Sequence, residues 1–192
     1  MKNPINITDL SVSYDSKSVI DNFSYTFEPH CFYAIMGASG IGKTSLINSI
    51  MGLIEYEGTI NSDEMPVIAA VFQEDRLCEG ISVYRNIRMT CGKQFSKEYI
   101  CELIDSFGLG DCAFKKVSGL SGGMKRRVAI LRAITAPHNL LIMDEPFKGL
   151  DEETKQNIMS KVKKMTSDDT VIMVTHDISE AKYFNAKIIN LN

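Results

Sequence analysis

Long apolar runs are missing from this sequence. Its most hydrophobic stretches, such as residues 67–72 and 140–143, fall far short of the roughly 18 to 20 residues a helix needs to cross a bilayer, so the chain is not expected to enter the membrane itself. Basic charge is not in excess either: 21 Lys and Arg stand against 24 Asp and Glu, for a formal net charge of -3. That excludes the global positive field that drives nonspecific nucleic-acid binding, and no nucleic-acid partner is expected. The five cysteines, at positions 31, 78, 91, 101 and 112, are scattered and include no C-x-x-C pair. Buried, reduced thiols are the expectation, in keeping with a cytosolic protein. No hydrophobic signal core follows Met1-Lys-Asn-Pro, which points the same way. Repeats, low-complexity tracts and linkers are also lacking, so 192 residues with 44% hydrophobic composition suggest one domain with a real core.

What is present alternates between strand and helix. Ile5, Ile7, Leu10, Val12 and Tyr14 form one strand-like run and residues 19–27 another, with a polar turn at 15–18, the pattern of an antiparallel hairpin. A third strand at 32–36 runs into a glycine-rich segment and then into helical spacing over 43–51. Residues 58–60 suggest a short edge strand, and the continuous apolarity of 67–72 suggests a strand buried on both faces. Helical patterns at 83–89, 97–107 and 122–136 then replace strands. Strand and helix alternate again from 140 to 189, the order of a parallel α/β sheet. The expected division is a core of 1–73 and 137–192 with an inserted helical part at 74–136.

Gly37, Ala38, Ser39, Gly40, Ile41, Gly42, Lys43 and Thr44 fit G-x-x-x-x-G-K-[ST] between a strand and a helix, the context a P-loop requires. Glycines let backbone N–H groups curve around phosphates, and the helix N-terminus adds favourable potential. Lys43 is then the candidate for neutralising phosphate oxygens and Thr44 for ligating Mg2+. An apolar strand ending in Asp144 and Glu145 supplies the metal carboxylate, Asp144, and a candidate general base, Glu145.

Leu120, Ser121, Gly122, Gly123 and Met124, shortly before that acidic pair, resemble the signature motif of the ABC ATPases. The P-loop, Gln73, Ser121 to Gly123, Asp144 with Glu145, Asp151 and His176 occur in that family's order, so the resemblance covers essentially the whole chain. It implies the ABC cassette fold: an α/β P-loop NTPase with a RecA-like core, an antiparallel β subdomain and an inserted helical subdomain bearing the signature. It implies ATP and Mg2+ as ligands, with Gln73 touching metal or water and His176 holding the γ-phosphate. ATP contacts would extend over residues 37–45, Ser45 included, with Tyr14 stacking on adenine; a strand-end core tyrosine is the alternative for Tyr14. Paired cassettes are also implied, each ATP lying between one P-loop and the signature residues Ser121, Gly122 and Gly123 of the other copy. Asp151 would cross that interface, cap the following helix, or do both.

The resemblance further implies a membrane permease as partner, docked near residues 74–89, a location on the cytoplasmic face of the membrane, and a substrate-binding protein as a further candidate partner. Residues 71–77 and the methionine in the signature are similar to importer subunits of the nitrate, sulfonate and taurine group, so import is favoured over export. Met124 stands where many members have Gln, and Phe147-Lys-Gly-Leu-Asp151 replaces the commoner Ser-Ala-Leu-Asp. A soluble ATPase for assembly or repair is the alternative function. The basic run Lys125, Arg126 and Arg127 reads as a solvated helix face, and the ten methionines as core filler.

Overall fold

The computed structural model describes residues 3–15 and 17–191. The expectations drawn from Met1, Lys2 and the turn residue Ser16 lie outside the described residues. In chain order the strands are β1 (Ile5–Tyr14), β2 (Lys17–Phe27), β3 (Phe32–Met36), β4 (Glu57–Asn61), β5 (Ile68–Val71), β6 (Leu140–Asp144), β7 (Thr170–Val174) and β8 (Lys187–Asn190). The helices are α1 (Lys43–Ile50), α2 (Val83–Arg88), α3 (Lys97–Ser106), α4 (Gly122–Thr135), α5 (Glu152–Met165) and α6 (Ile178–Tyr183).

Two sheets form. β1 pairs antiparallel with β2 on one side and β4 on the other, and a second sheet has the order β5-β6-β7-β3-β8 with every pair parallel. β6 and β7 are buried at every residue because each lies inside the sheet with both faces covered. Their side chains alternate between two cores, as the period of two demands. Leu141, Met143, Val171 and Met173 pack with the helices α4 and α5. Leu140, Ile142, Ile172 and Val174 pack with α1 and the antiparallel sheet.

β5 departs from expectation. It is an edge strand of the parallel sheet, and Val67 just before it is exposed. Ala69 and Val71 are buried in the core with α4, whereas Ile68 and Ala70 on the opposite face are only partly covered, so the strand's apolar run does not reflect burial on both faces. The cysteines are free, but only Cys112 is buried and Cys78 is exposed. The methionines divide likewise: Met143, Met159 and Met173 are core, whereas Met65 and Met89 face solvent. No helix among the described residues is long and apolar enough to cross a membrane.

Candidate active site

Four segments meet beyond the carboxyl ends of the parallel strands, the edge where such sheets bind ligands. β3 runs into the glycine-rich turn, β5 into Gln73, β6 into Asp144 and Glu145, and β7 into Thr175 and His176. One cleft is lined by Ser39, Gly40, Gly42, Lys43, Thr44, Ser45, Gln73, Asp144, Glu145 and His176. Gly42 has φ 109°, and a Cβ there would come within 2.8 Å of the Val19 carbonyl oxygen, so only glycine fits this turn. Gly42 also offers no side-chain cap to α1. The helix's first N–H groups therefore remain available to an anion.

Lys43 is buried, and its ammonium donates to the carbonyls of Gly37 at 3.0 Å and Ala38 at 2.7 Å. The charge is thus held over the loop rather than in solvent. The Thr44 hydroxyl donates to Oδ2 of Asp144 at 2.9 Å, joining the start of α1 to the end of β6 across the intervening β7. Burial pushes the Asp144 carboxyl above its usual range, and neighbouring Glu145 adds to this; Thr44, Arg126 and Lys43 only partly offset them. An added cation would relieve that state. Thr44, Asp144 and Gln73 offer oxygen donors in one cleft, which suits Mg2+. No cluster of three or more His, Cys, Asp or Glu ligands exists among the described residues, but Mg2+ at phosphates needs one or two carboxylates rather than a protein cage.

Glu145 is held from both sides. Oε2 lies 2.6 Å from Nζ of Lys148 and Oε1 lies 3.1 Å from Nε2 of His176. The Lys148 hydrogen bond holds this carboxyl below its usual range, with further help from His176 and Lys43. A carboxylate kept ionised beside the P-loop can accept a proton from water.

The His176 loop is braced from behind. Thr175 donates to Glu180 at 2.6 Å, and Lys155 from α5 reaches Asp177 at 2.5 Å and Glu180 at 2.8 Å. Burial disfavours the Lys155 charge, yet the two carboxylates outweigh it and its pKa is raised. The Lys155 hydrogen bond in turn brings Asp177 down to about 2.

Ser121, Gly122, Gly123 and Asp151 lie outside the P-loop cleft. The Ser121 hydroxyl caps α4, accepting from the N–H of Met124 at 3.3 Å, and Asp151 caps α5 through the N–H of Thr154 at 2.9 Å. Gly122 and Gly123 line a second depression with Gln73, Asp75, Glu145 and Lys148. Tyr14 is half-exposed, with its hydroxyl 3.4 Å from that of Ser45. This is not the environment of a core tyrosine. Gly37, Ala38 and Ile41 complete the turn that carries Lys43.

The basic run is not a solvated face. Arg126 is buried and bonded to five main-chain carbonyls, and Arg127 donates to Gly123, Phe107 and Gly108. Lys125, half-buried like Arg127, pairs with Glu79 at 2.6 Å. Sequence reasoning missed Arg126, Lys148, Lys155 and Glu180. A signal existed for two of them. Lys155 lies in line with the buried Ile158, Met159 and Val162 of α5, and Arg126 with Ala129, Ile130 and Ala133 of α4, the i, i+3, i+4, i+7 stripe of a buried face.

The family model described as ABC transporter matches residues 20–148. The aliphatic sulfonates import ATP-binding protein of Delftia acidovorans is 30% identical over 97% of this chain and 79% of its own length. The bicarbonate transport ATP-binding protein of Synechococcus elongatus is 32% identical, over 90% and 68%. Among solved structures, an ATP-binding cassette seen as a dimer in a post-hydrolysis state with ADP and Pi superposes with a TM-score of 0.85. It is 26% identical and covers 98% of this chain and 94% of that one.

Proposed function

Because the chain belongs to the ABC transporter ATP-binding family, we propose that it is the ATP-hydrolysing subunit of an importer, acting as a pair of cassettes on a separate permease. The observation that carries this is the single cleft shared by Lys43, Thr44, Gln73, Asp144, Glu145 and His176, with Gly122 and Gly123 outside it. In this reading Lys43 leaves its loop carbonyls for the β- and γ-phosphates, and the N–H groups around residues 37–45 cradle them. Thr44 and Asp144, with Gln73, hold Mg2+, which supplies charge neutralisation at the phosphates when bound. Glu145 accepts the proton of the attacking water, and His176 orients Glu145 and contacts the γ-phosphate. Tyr14 offers its ring to adenine.

Ser121 to Gly123 do not line the P-loop cleft of their own chain, which supports a head-to-tail pair in which they close over the partner's nucleotide, with Asp151 at the interface. We further propose one catalytic unit over 1–192, with a core of 1–73 and 137–192 and a helical part of 74–136. Its position is the cytoplasmic face of the membrane, and a substrate-binding protein completes the importer. Import is supported by the likeness to the sulfonate and bicarbonate proteins.

Docking is proposed along residues 74–89, where Glu74, Arg76 and Met89 are exposed. Asp75 is left out of the test because it contacts Arg126. A Glu74→Lys/Arg76→Glu variant should fail to co-purify with the permease from detergent-solubilised membranes while binding ATP as tightly as wild type. Full recovery and transport by that variant would place docking elsewhere; no integral membrane protein recovered with wild type would favour the soluble ATPase.

A further inference from the structure

We infer that Arg126 is a positioning residue for hydrolysis: its guanidinium locks the main chain carrying Glu145 to the main chain carrying Gln73. Beyond the last β5–β6 pair, Val71 with Met143, the ladder between these strands ends. Arg126 takes over from there. Its Nη1 donates to the carbonyl of Phe72 at 2.6 Å, with that of Gln73 at 3.4 Å and Oδ1 of Asp75 at 3.2 Å. Nη2 donates to the carbonyls of Asp144 and Glu145, each at 2.7 Å, and Nε to that of Pro146 at 2.8 Å. All five N–H groups of the fork are therefore committed, to two segments that follow neighbouring strands.

The clamp falls on backbone in a left-handed conformation. Glu145 has φ 44°, a left-handed conformation that a non-glycine residue keeps only when its surroundings impose it. Its N–H donates to Val174 at 2.9 Å and its carbonyl accepts from Arg126, so both ends of the residue are fixed. That backbone sets the direction of the carboxylate. Arg126 also sits on α4, capped by Ser121, so the helix bearing Ser121 to Gly123 is tied to the same two segments. A lysine at 126 would keep the charge but, as a point donor, cannot span both segments in a plane; glutamine would keep two N–H donors and lose the charge.

The inference rests on Glu145 being the base. The test compares wild type with Arg126→Lys, Arg126→Gln, Glu145→Gln and the Arg126→Gln/Glu145→Gln double variant, reading single-turnover ATP hydrolysis and ATP dissociation constant separately. Both Arg126 variants should lose about tenfold or more in hydrolysis rate while the dissociation constant stays within about threefold. The double variant should hydrolyse no more slowly than Glu145→Gln, because both changes act through one group. If Arg126→Gln fails to fold, Arg126→Lys carries the comparison. Hydrolysis at the wild-type rate in either Arg126 variant, or full multiplication of the two losses in the double variant, overturns the inference. If Glu145→Gln itself hydrolyses like wild type, the base assignment falls and the inference with it, a result distinct from an inactive Glu145→Gln beside unaffected Arg126 variants.

Discussion

The Lys148 ammonium lies 2.6 Å from Oε2 of Glu145, on a side chain that is 67% exposed. It stands where the commoner family pattern has a neutral residue, and it occupies one oxygen of the proposed base while His176 occupies the other. An ion pair so open to water is worth only about 0.2 to 1 kcal/mol, so freeing the carboxylate should change its reactivity by no more than about fivefold. Lys148→Ala should therefore raise basal ATP hydrolysis of the isolated subunit about two- to fivefold. A tenfold loss would mean that Lys148 assists the reaction.

The brace behind His176 should be costly to break from one side. Lys155 and Glu180 are both buried, and removing one partner of such a pair costs about 3 to 5 kcal/mol. Lys155→Met should lower the melting temperature by about 6 to 20 °C for a domain of this size and reduce hydrolysis by displacing His176. Lys155→Met/Glu180→Met should recover part of the lost stability without recovering hydrolysis. A single variant that melts like wild type would show that the pair contributes no net stability.

His138 gives the fold a pH dependence with a definite sign. Its Nδ1 lies 2.7 Å from the carbonyl of Ala136, and Nε2 lies 3.3 Å from Asp169, an ion-pair distance without a well-aligned hydrogen bond. Burial opposes protonation, but Asp169 and the Ala136 carbonyl outweigh it and raise the pKa. Only the doubly protonated ring can donate to the Ala136 carbonyl and at the same time present positive charge to Asp169. The native state thus binds this proton more tightly than the unfolded chain, so the stabilisation is complete below the ordinary histidine value and is lost as pH rises through the raised one. Thermal melts of wild type and His138→Gln should differ most at pH about 6 and progressively less as pH rises above the ordinary histidine value. A constant difference across that range would assign His138 a packing role alone.

Much of the site was legible because phosphate chemistry imposes local patterns. The turn from Gly37 to Gly42 and the strand ending in Asp144 and Glu145 are contiguous in sequence, so their chemistry can be read without a fold. Arg126 could not be read that way. Its acceptors come from segments that only the β5–β6 pairing brings together, and a basic residue counts as solvent-facing until its partners are known. The β5 segment misled for a related reason: apolar content does not distinguish an edge strand covered by a helix from a central one. Lys148 drew notice as a departure from the family pattern, but its position over Glu145 depends on the Phe147 to Asp151 turn.

The central claim, that each ATP is hydrolysed between the P-loop of one copy and the Ser121 to Gly123 segment of the other, is tested most directly by mixing two inactive variants. Lys43→Ala removes the phosphate ligand of its own cleft, and Ser121→Arg blocks the segment offered to the partner. In a mixed pair both lesions fall on one site, leaving the other site intact. An equimolar mixture should regain about a quarter of wild-type hydrolysis, since about half of the pairs are mixed and each has one working site. Two variants that are inactive apart and remain inactive when mixed, although sizing shows that they pair, would contradict the account.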